Sequence, residues 1–263
     1  MSGTQYRQVC RMELPPTAIR ITRDRKSVMR KEIWEQQTGE RDHIKPVWKQ
    51  PRGSYGNNFW QMYSWKLDRD VHFYSNLERD HGVIMEADPN VAWFCEQPLR
   101  INIKLDGRDH KTVIDMLVHF SNGRKEYREV KYVRDLQRVE DHSRVARQLA
   151  AQQDWAIVTA NEYKIVTEHE IRRNAVFIRN WKQILAYLAT YASYDLAEIE
   201  TQLLAAFDIE PSWSLRDLER YIARPDRQTV KAAIFRLIHG GLCTAPLDVY
   251  PLTNSLTIQR GTK

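Results

Sequence analysis

The sequence predicts an α/β protein: a mixed sheet flanked by helices over residues 71–165, followed by an α-helical unit over 166–263 that closes on a short β-ribbon. Three observations predict it. Short apolar runs with period-two alternation crowd residues 91–133. Helical periodicity flanks them on both sides. From Ile178 onward the helical pattern is broken only by caps and a Gly-Gly stop. With 42% hydrophobic and 28% charged residues the chain has the composition of a soluble globular protein, and 10 Gly and 10 Pro exclude a collagen-like or low-complexity chain. No apolar run approaches the roughly 20 residues of a membrane helix. No apolar stretch follows Met1–Arg7, so no signal peptide is expected. Cys10, Cys95 and Cys243 are odd in number and far apart, which excludes a disulfide framework and a CxxC zinc site. A cytoplasmic protein without a membrane partner is the expectation.

The elements follow in order. Residues 1–70 are irregular, with Pro15-Pro16, Pro46, Pro51 and the stretch Arg52–Asn58, and carry one short helix near Lys31–Gln37. Ser75 caps a helix to about Glu86, with Leu77, His81, Ile84 and Met85 on one face. Asp88-Pro89-Asn90 is a turn. Val91–Glu96 and Leu99–Leu105 are strands, and Asp106–Asp109 is a turn between the second and the next. Thr112–Phe120 reads as one apolar strand interrupted by Asp115; Ser121-Asn122-Gly123 turns it into Lys125–Val133. Leu136–Gln152 is helical and Trp155–Thr159 a buried strand. In the second unit, Ile178–Ala192, Leu196–Phe207, Ser212–Ile222 and Asp226–His239 are helical, and two short strands lie around Pro246 and Pro251. Helices followed by a β-ribbon outline a winged helix-turn-helix.

Charge is unevenly distributed. Residues 1–70 hold 14 basic and 8 acidic side chains, which is the whole surplus of six; residues 71–263 balance. Arg20, Arg23, Arg25, Lys26, Arg30 and Lys31 form the densest basic stretch, either a phosphate-binding arm or a solvated charge run. Arg224, Arg227, Lys231 and Arg236 lie on or before the last helix and are candidate DNA contacts; residues 161–263 are nearly neutral, with 13 basic and 12 acidic side chains, and winged helices also serve as protein-docking modules.

The chemistry centres on Asp115, an acid inside Val113–Val118. An ionised carboxylate buried there needs compensation, and a cation is one answer. Beyond the hairpin, Glu129 and Lys131 share a face of their strand, and antiparallel pairing brings that face beside Asp115. Two carboxylates and an ammonium at one end of a sheet suit Mg²⁺, which takes oxygen ligands and keeps waters. That set suits phosphodiester hydrolysis: the metal activates water, and Lys131 orients it or neutralises the transition state. Glu78 supplies a further ligand from the preceding helix.

Glu78 on a helix, Asp115 on a strand and Glu129-Val130-Lys131 on the next strand resemble the PD-(D/E)xK nucleases, with the restriction-endonuclease-like fold. More narrowly, Ser75–Asp80, Asp88–Val91, Glu96–Leu99, Asp115 and Glu129–Lys131 resemble the TnsA endonucleases of heteromeric cut-and-paste transposons. The blocks cover 75–131. The chain departs from the broad motif in having Val113-Ile114 where a Pro precedes the acid, and in a carboxylate at Glu129 where family members can carry an amide. The resemblance implies a catalytic set of Glu78, Asp115 and Lys131 with Glu129 as fourth member. It implies two Mg²⁺ ions, replaceable by Mn²⁺, held by Glu78, Asp115, Glu129 and the Val130 carbonyl. It implies cleavage of the 5′, non-transferred strands at transposon ends, beside a TnsB-like DDE transposase and a TnsC-like AAA+ ATPase, and a winged-helix-like C-terminal domain.

Plainer readings stand beside these. Ser75-x-x-Glu78 is a capping box; Asp115 and Lys131 form a buried ion pair; Lys131 protects a strand edge. His142 and Gln148 lie on the helix after the hairpin, on a solvated face or at the site. His81 and His119 are core or edge histidines. Phe59, Trp60, Tyr63, Trp65, Phe73 and Tyr74 pack on the core or stack on DNA bases. The rival functions are a stand-alone restriction or repair nuclease of the same fold and a non-catalytic DNA-binding adaptor.

Overall fold

Residue 34 opens the computed structural model's description of the chain, which covers residues 34–37, 45–47, 58–105, 108–137, 143–222 and 226–261; all belong to one compact unit, Glu32–Lys263. Strand β1 (Trp34–Gln37) pairs antiparallel with the later strand Leu99–Leu105, Trp34 opposite Asn102 and Gln37 opposite Leu99. The expected helix at 31–37 is therefore corrected over its described part. So short a segment forms no stable helix alone, and the ladder edge offers its backbone groups partners. Strands β2 (Trp60–Ser64) and β3 (Arg69–Phe73) make a hairpin whose turn holds Asp68 at φ 50°.

Helix α1 (Asn76–Ala87) begins where expected: Ser75 Oγ accepts from the Glu78 N–H at 3.0 Å. Its C-terminal end carries no basic residue of its own. The Lys66 ammonium supplies the charge, donating to the carbonyls of Met85 at 3.0 Å, Asp88 at 2.5 Å and Val91 at 2.7 Å. Gly82 is needed for packing, because a Cβ there would lie 2.3 Å from Phe73 Cζ; α1 thus sits closely on β3.

Strands β4 (Val91–Glu96) and β5 (Leu99–Leu105) follow, then β6 (Arg108–Val113), β7 (Met116–Phe120) and β8 (Lys125–Lys131). Two expectations are corrected here. Arg108 and Asp109, expected in a turn, pair with Leu105 and Lys104 in the β5–β6 hairpin. The single strand 112–120 is two strands, broken at Ile114-Asp115, and the halves belong to different sheets. β1-β5-β6 is one sheet; β4-β7-β8-β9 is the other, with β9 (Tyr163–Thr167) parallel to β8 and the remaining pairs antiparallel. The β8–β9 crossover runs through α2 (Val133–Gln137) and α3 (Arg144–Thr159).

Trp155–Thr159, expected as a buried strand, is the last part of α3. Trp155 and Ala156 are buried while Ile157 and Val158 are 60% and 71% exposed, so the apolar run faces both core and solvent as a helix requires. The edge strand is instead Tyr163–Thr167. Both faces of the second sheet are covered. Met116 and Val118 pack with Phe73, Met85 and Phe94 on the α1 side. Leu117, Tyr127 and Trp155 pack on the α3 side, Tyr127 edge-on to Trp155 at 4.8 Å.

The C-terminal third contains α4 (Glu168–Ile171), α5 (Ala175–Thr190), α6 (Ala197–Ile209), β10 (Ser212–Ser214), α7 (Leu215–Tyr221), α8 (Arg227–His239), β11 (Cys243–Thr244) and β12 (Thr257–Arg260). Ser214 and Asp226 cap α7 and α8. The three strands form an antiparallel sheet, β12 in the middle. Ile184, Leu188, Leu203, Ala206, Val230 and Phe235 fill its core. Among the described residues no helix is long and apolar enough to cross a membrane.

Candidate active site

The strand break puts Asp115 at the head of β7, and its surroundings hold it there. Gln97, in the left-handed region at φ 41°, donates its N–H to the Asp115 carbonyl at 2.9 Å, and Ile114 donates to the Leu99 carbonyl at 3.1 Å. Met116 pairs with Arg128, so the end of β8 runs past the start of β7 and alongside Asp115. There the Val130 N–H donates to Asp115 Oδ2 at 2.8 Å. The carboxylate of the break and the Glu129-Val130-Lys131 strand end are thereby joined.

Alternation along β8 does the rest. Val130 packs with Leu77 of α1, Val166 and Ile171. Glu129 and Lys131 share a face, as period two requires, and the Lys131 ammonium donates to Glu129 Oε1. Glu129 is 0% exposed. Leu77, packed on Val130, sets the first turn of α1 near this strand end, which brings Glu78 into the field of Asp115 and Lys131. The reciprocal half of the capping box is shifted by one residue: Glu78 Oε2 accepts from the Tyr74 N–H at 3.2 Å.

The charges are unbalanced. Three carboxylates face one ammonium. Burial first, then Asp115, raises Glu78 to about 7, and the same two causes raise Glu129 to about 8. Burial also raises Asp115, against the pull of Lys131 and the Val130 N–H. Burial opposes the charge on Lys131, but Asp115 and Glu129 outweigh it and hold the ammonium protonated. Such a site lacks positive charge, and its donors are hard oxygens, so it fits a divalent cation. Among the described residues, no three His, Cys, Asp or Glu side chains are gathered as a ready ligand cage. Glu129 accepts three contacts: besides Lys131, Gln148 Nε2 donates to its Oε1 at 2.7 Å and Gln152 Nε2 to its Oε2 at 2.8 Å.

Gln152 and its partner Tyr163, whose hydroxyl donates to Gln152 Oε1 at 2.8 Å, were not legible as site residues. The available signal was the four-residue spacing of Gln148 and Gln152, which places both amides on one face of α3. Other candidates take structural positions. His81 is buried with Nε2 3.0 Å from Arg128 Nη1, and burial, then Arg128, lowers its pKa well below 6.5. His119 stacks on Trp93 at 4.9 Å. Phe73 is core, Trp60 lies under the Arg79 guanidinium, and Phe59, 58% exposed, stacks on His72. Lys231 pairs with Glu219, and Arg236 donates to the Tyr191 and Tyr194 carbonyls, so both face inward from α8. Arg20, Arg23, Arg25, Lys26, Arg30, Lys31, His142 and Arg224 lie outside the described residues.

In this mixed sheet a strand-break aspartate stands beside a Glu-x-Lys strand end. Residues 88–168 match the family described as TnsA-like endonuclease N terminal. That match spans 81 of the 263 residues, and over it the chain is similar to the TnsA-like endonuclease domain. Asp115, Glu129 and Lys131 fall inside the match and Glu78 precedes it. No curated protein matches the chain.

Proposed function

We propose that this protein is a Mg²⁺-dependent DNA endonuclease that cuts the 5′, non-transferred strands at transposon ends, with a DDE transposase cutting and joining the 3′ ends and an AAA+ ATPase regulating the complex. The observation that carries the nuclease reading is the Val130 N–H to Asp115 Oδ2 bond, which joins the strand break to the Glu-x-Lys strand end beside Glu78. Glu78, Asp115 and the Val130 carbonyl are the groups to hold the two ions, with Mn²⁺ as a substitute. A bound divalent cation supplies Lewis-acid stabilisation of the phosphate and a more acidic water. Lys131, held protonated, offers its ammonium to the developing charge on the phosphate or to the attacking water. The fixed Asp115 backbone keeps these groups aligned and limits reorganisation during reaction.

DNA approaches a site with an excess of carboxylates, so phosphate contacts must come from elsewhere. Arg20, Arg23, Arg25, Lys26 and Arg30 are the proposed source, and charge neutralisation there lowers the salt slope of binding. The order α6-β10-α7-α8-β11-β12 supports a winged-helix-like C-terminal domain. The inward-facing Lys231 and Arg236 favour protein docking over groove reading by α8.

The test is strand cleavage of transposon-end DNA by the reconstituted complex. Loss of cutting in EDTA and in Lys131→Ala, with folding retained, supports the reading. Cutting that survives either contradicts it. Robust cutting by the purified chain alone favours the stand-alone nuclease instead.

A further inference from the structure

Glu129 raises a question that the nuclease reading leaves open. It is a fully buried carboxylate beside the site, and each of its oxygens is claimed by the protein itself. Oε1 accepts from the Lys131 ammonium and from Gln148 Nε2 at 2.7 Å; Oε2 accepts from Gln152 Nε2 at 2.8 Å. Gln152 is 0% exposed and is itself held at every polar atom. Its Nε2 also lies 3.1 Å from Thr112 Oγ1 and 3.3 Å from the Val113 carbonyl, and its Oε1 accepts from the Tyr163 hydroxyl at 2.8 Å. The chain of contacts runs from the β9 edge through α3 to the end of β8 and stops at the Lys131 ammonium.

We propose that Gln152 and Gln148, with Tyr163 seating Gln152, are positioning residues that commit the Glu129 carboxylate to holding Lys131, so that cation binding falls to Glu78 and Asp115. The inference rests on the nuclease reading for the meaning of the site, but its geometry is independent of it. A carboxylate has about four acceptor positions on its two oxygens, and Glu129 already fills three of them across both oxygens, whereas the Val130 N–H engages only Oδ2 of Asp115. A lysine ammonium on four rotatable carbons is otherwise mobile, and one buried acceptor restricts it to a single rotamer. The two glutamines are neutral, so they fix that acceptor without adding charge to a site that must attract cations. Thr112 and the Val113 carbonyl tie the same amide to the strand that leads into Asp115, so the acid and the ammonium are positioned from one point.

The experiment uses the full chain with ¹⁵N-labelled lysine, and reads the Lys131 ammonium correlation by NMR alongside Mn²⁺ affinity by calorimetry. The correlation is identified as the one missing in Lys131→Arg. Gln152→Leu and Gln148→Met are expected to shift or broaden it, Gln148→Met serving as the half-exposed variant should Gln152→Leu not fold. Tyr163→Phe is expected to move it less. Mn²⁺ affinity is expected to stay near wild type in Gln148→Met and Gln152→Leu while Asp115→Asn lowers it by about tenfold or more. An unmoved Lys131 correlation in the folded glutamine variants overturns the proposal. So does a loss of Mn²⁺ affinity in them equal to that of Asp115→Asn, which would make Glu129 a ligand. Unchanged Mn²⁺ affinity in Asp115→Asn sinks the metal-site reading instead, and the Lys131 correlation then decides the positioning role alone.

Discussion

Glu78 and Asp80 lie two residues apart on α1, and their surroundings treat them in opposite ways. Asp80 is buried, which alone would raise its pKa, but Lys182 at 2.5 Å and Arg172 at 2.8 Å outweigh burial and hold it below the usual carboxylate range. Both partners come from the C-terminal third, so Asp80 fastens α1 to that part of the chain. Glu78 finds the Tyr74 N–H at 3.2 Å, Ser75 and the field of Lys131, but burial together with Asp115 outweighs them and raises it to about 7. A carboxylate whose counter-charge is built into the fold is structural. One left without it, beside a second such carboxylate, marks where the fold expects charge from outside.

The contrast can be broken at either end. The largest effect is expected from Asp115→Ala, which should lower strand cleavage by a factor on the order of 10³ while the chain stays folded, measured by gel assay and by fluorescence in urea. A loss of stability matching the loss of activity would return Asp115 to the structural class. Next, Asp80→Asn should destabilise the chain by about 2 kcal/mol in urea unfolding, less than for a fully buried pair because Lys182 and Arg172 keep contact with water. Smaller still is Glu78→Gln. In the metal-free chain Glu78 keeps its proton to about 7, against 4.5 for an ordinary glutamate. Between those values the folded form binds more protons than the unfolded form, so stability is full below the lower value and is lost as pH rises through the upper. The substitution should therefore stabilise the metal-free chain at pH 8, by on the order of 1 kcal/mol because Glu78, though mostly buried, keeps some contact with water. Mg²⁺ should erase that difference.

The smallest effect concerns His81, next along α1, buried neutral with its pKa lowered well below 6.5. The unfolded chain takes up that proton first, so stability present above 6.5 is lost as pH falls below it. The gap in unfolding free energy between wild type and His81→Gln, from urea titrations, should change between pH 7 and pH 6 by less than about 1 kcal/mol.

How much was legible in the sequence follows from what each element depends on. Helix α1, its Ser75 cap and the β7–β8 hairpin through Gly123 (φ 86°) were readable, because caps and tight turns are written in adjacent residues. Asp115, Glu129 and Lys131 were readable as a set because strand alternation and hairpin pairing are periodic. The break at Ile114-Asp115 was not, since it is set by which sheet each half joins, a matter of Leu99 and Gln97 rather than of neighbours in sequence. β1 was misjudged for the same reason: its state comes from the β5 edge. Trp155–Thr159 misled because an apolar run with two exposed members looks continuous until burial is known. Gln152 stayed hidden since an amide declares no function until its acceptor, here Glu129, is in place.

The central claim is that the under-compensated carboxylates beside Lys131 cut DNA, and one measurement tests it most directly. Transposon-end DNA labelled separately on each strand is incubated with Mg²⁺, the partner transposase and ATPase, and either wild-type chain or Asp115→Ala. The account predicts that Asp115→Ala loses the 5′ cuts alone, with 3′ cutting and joining retained. Five-prime cuts that persist in the variant would contradict it.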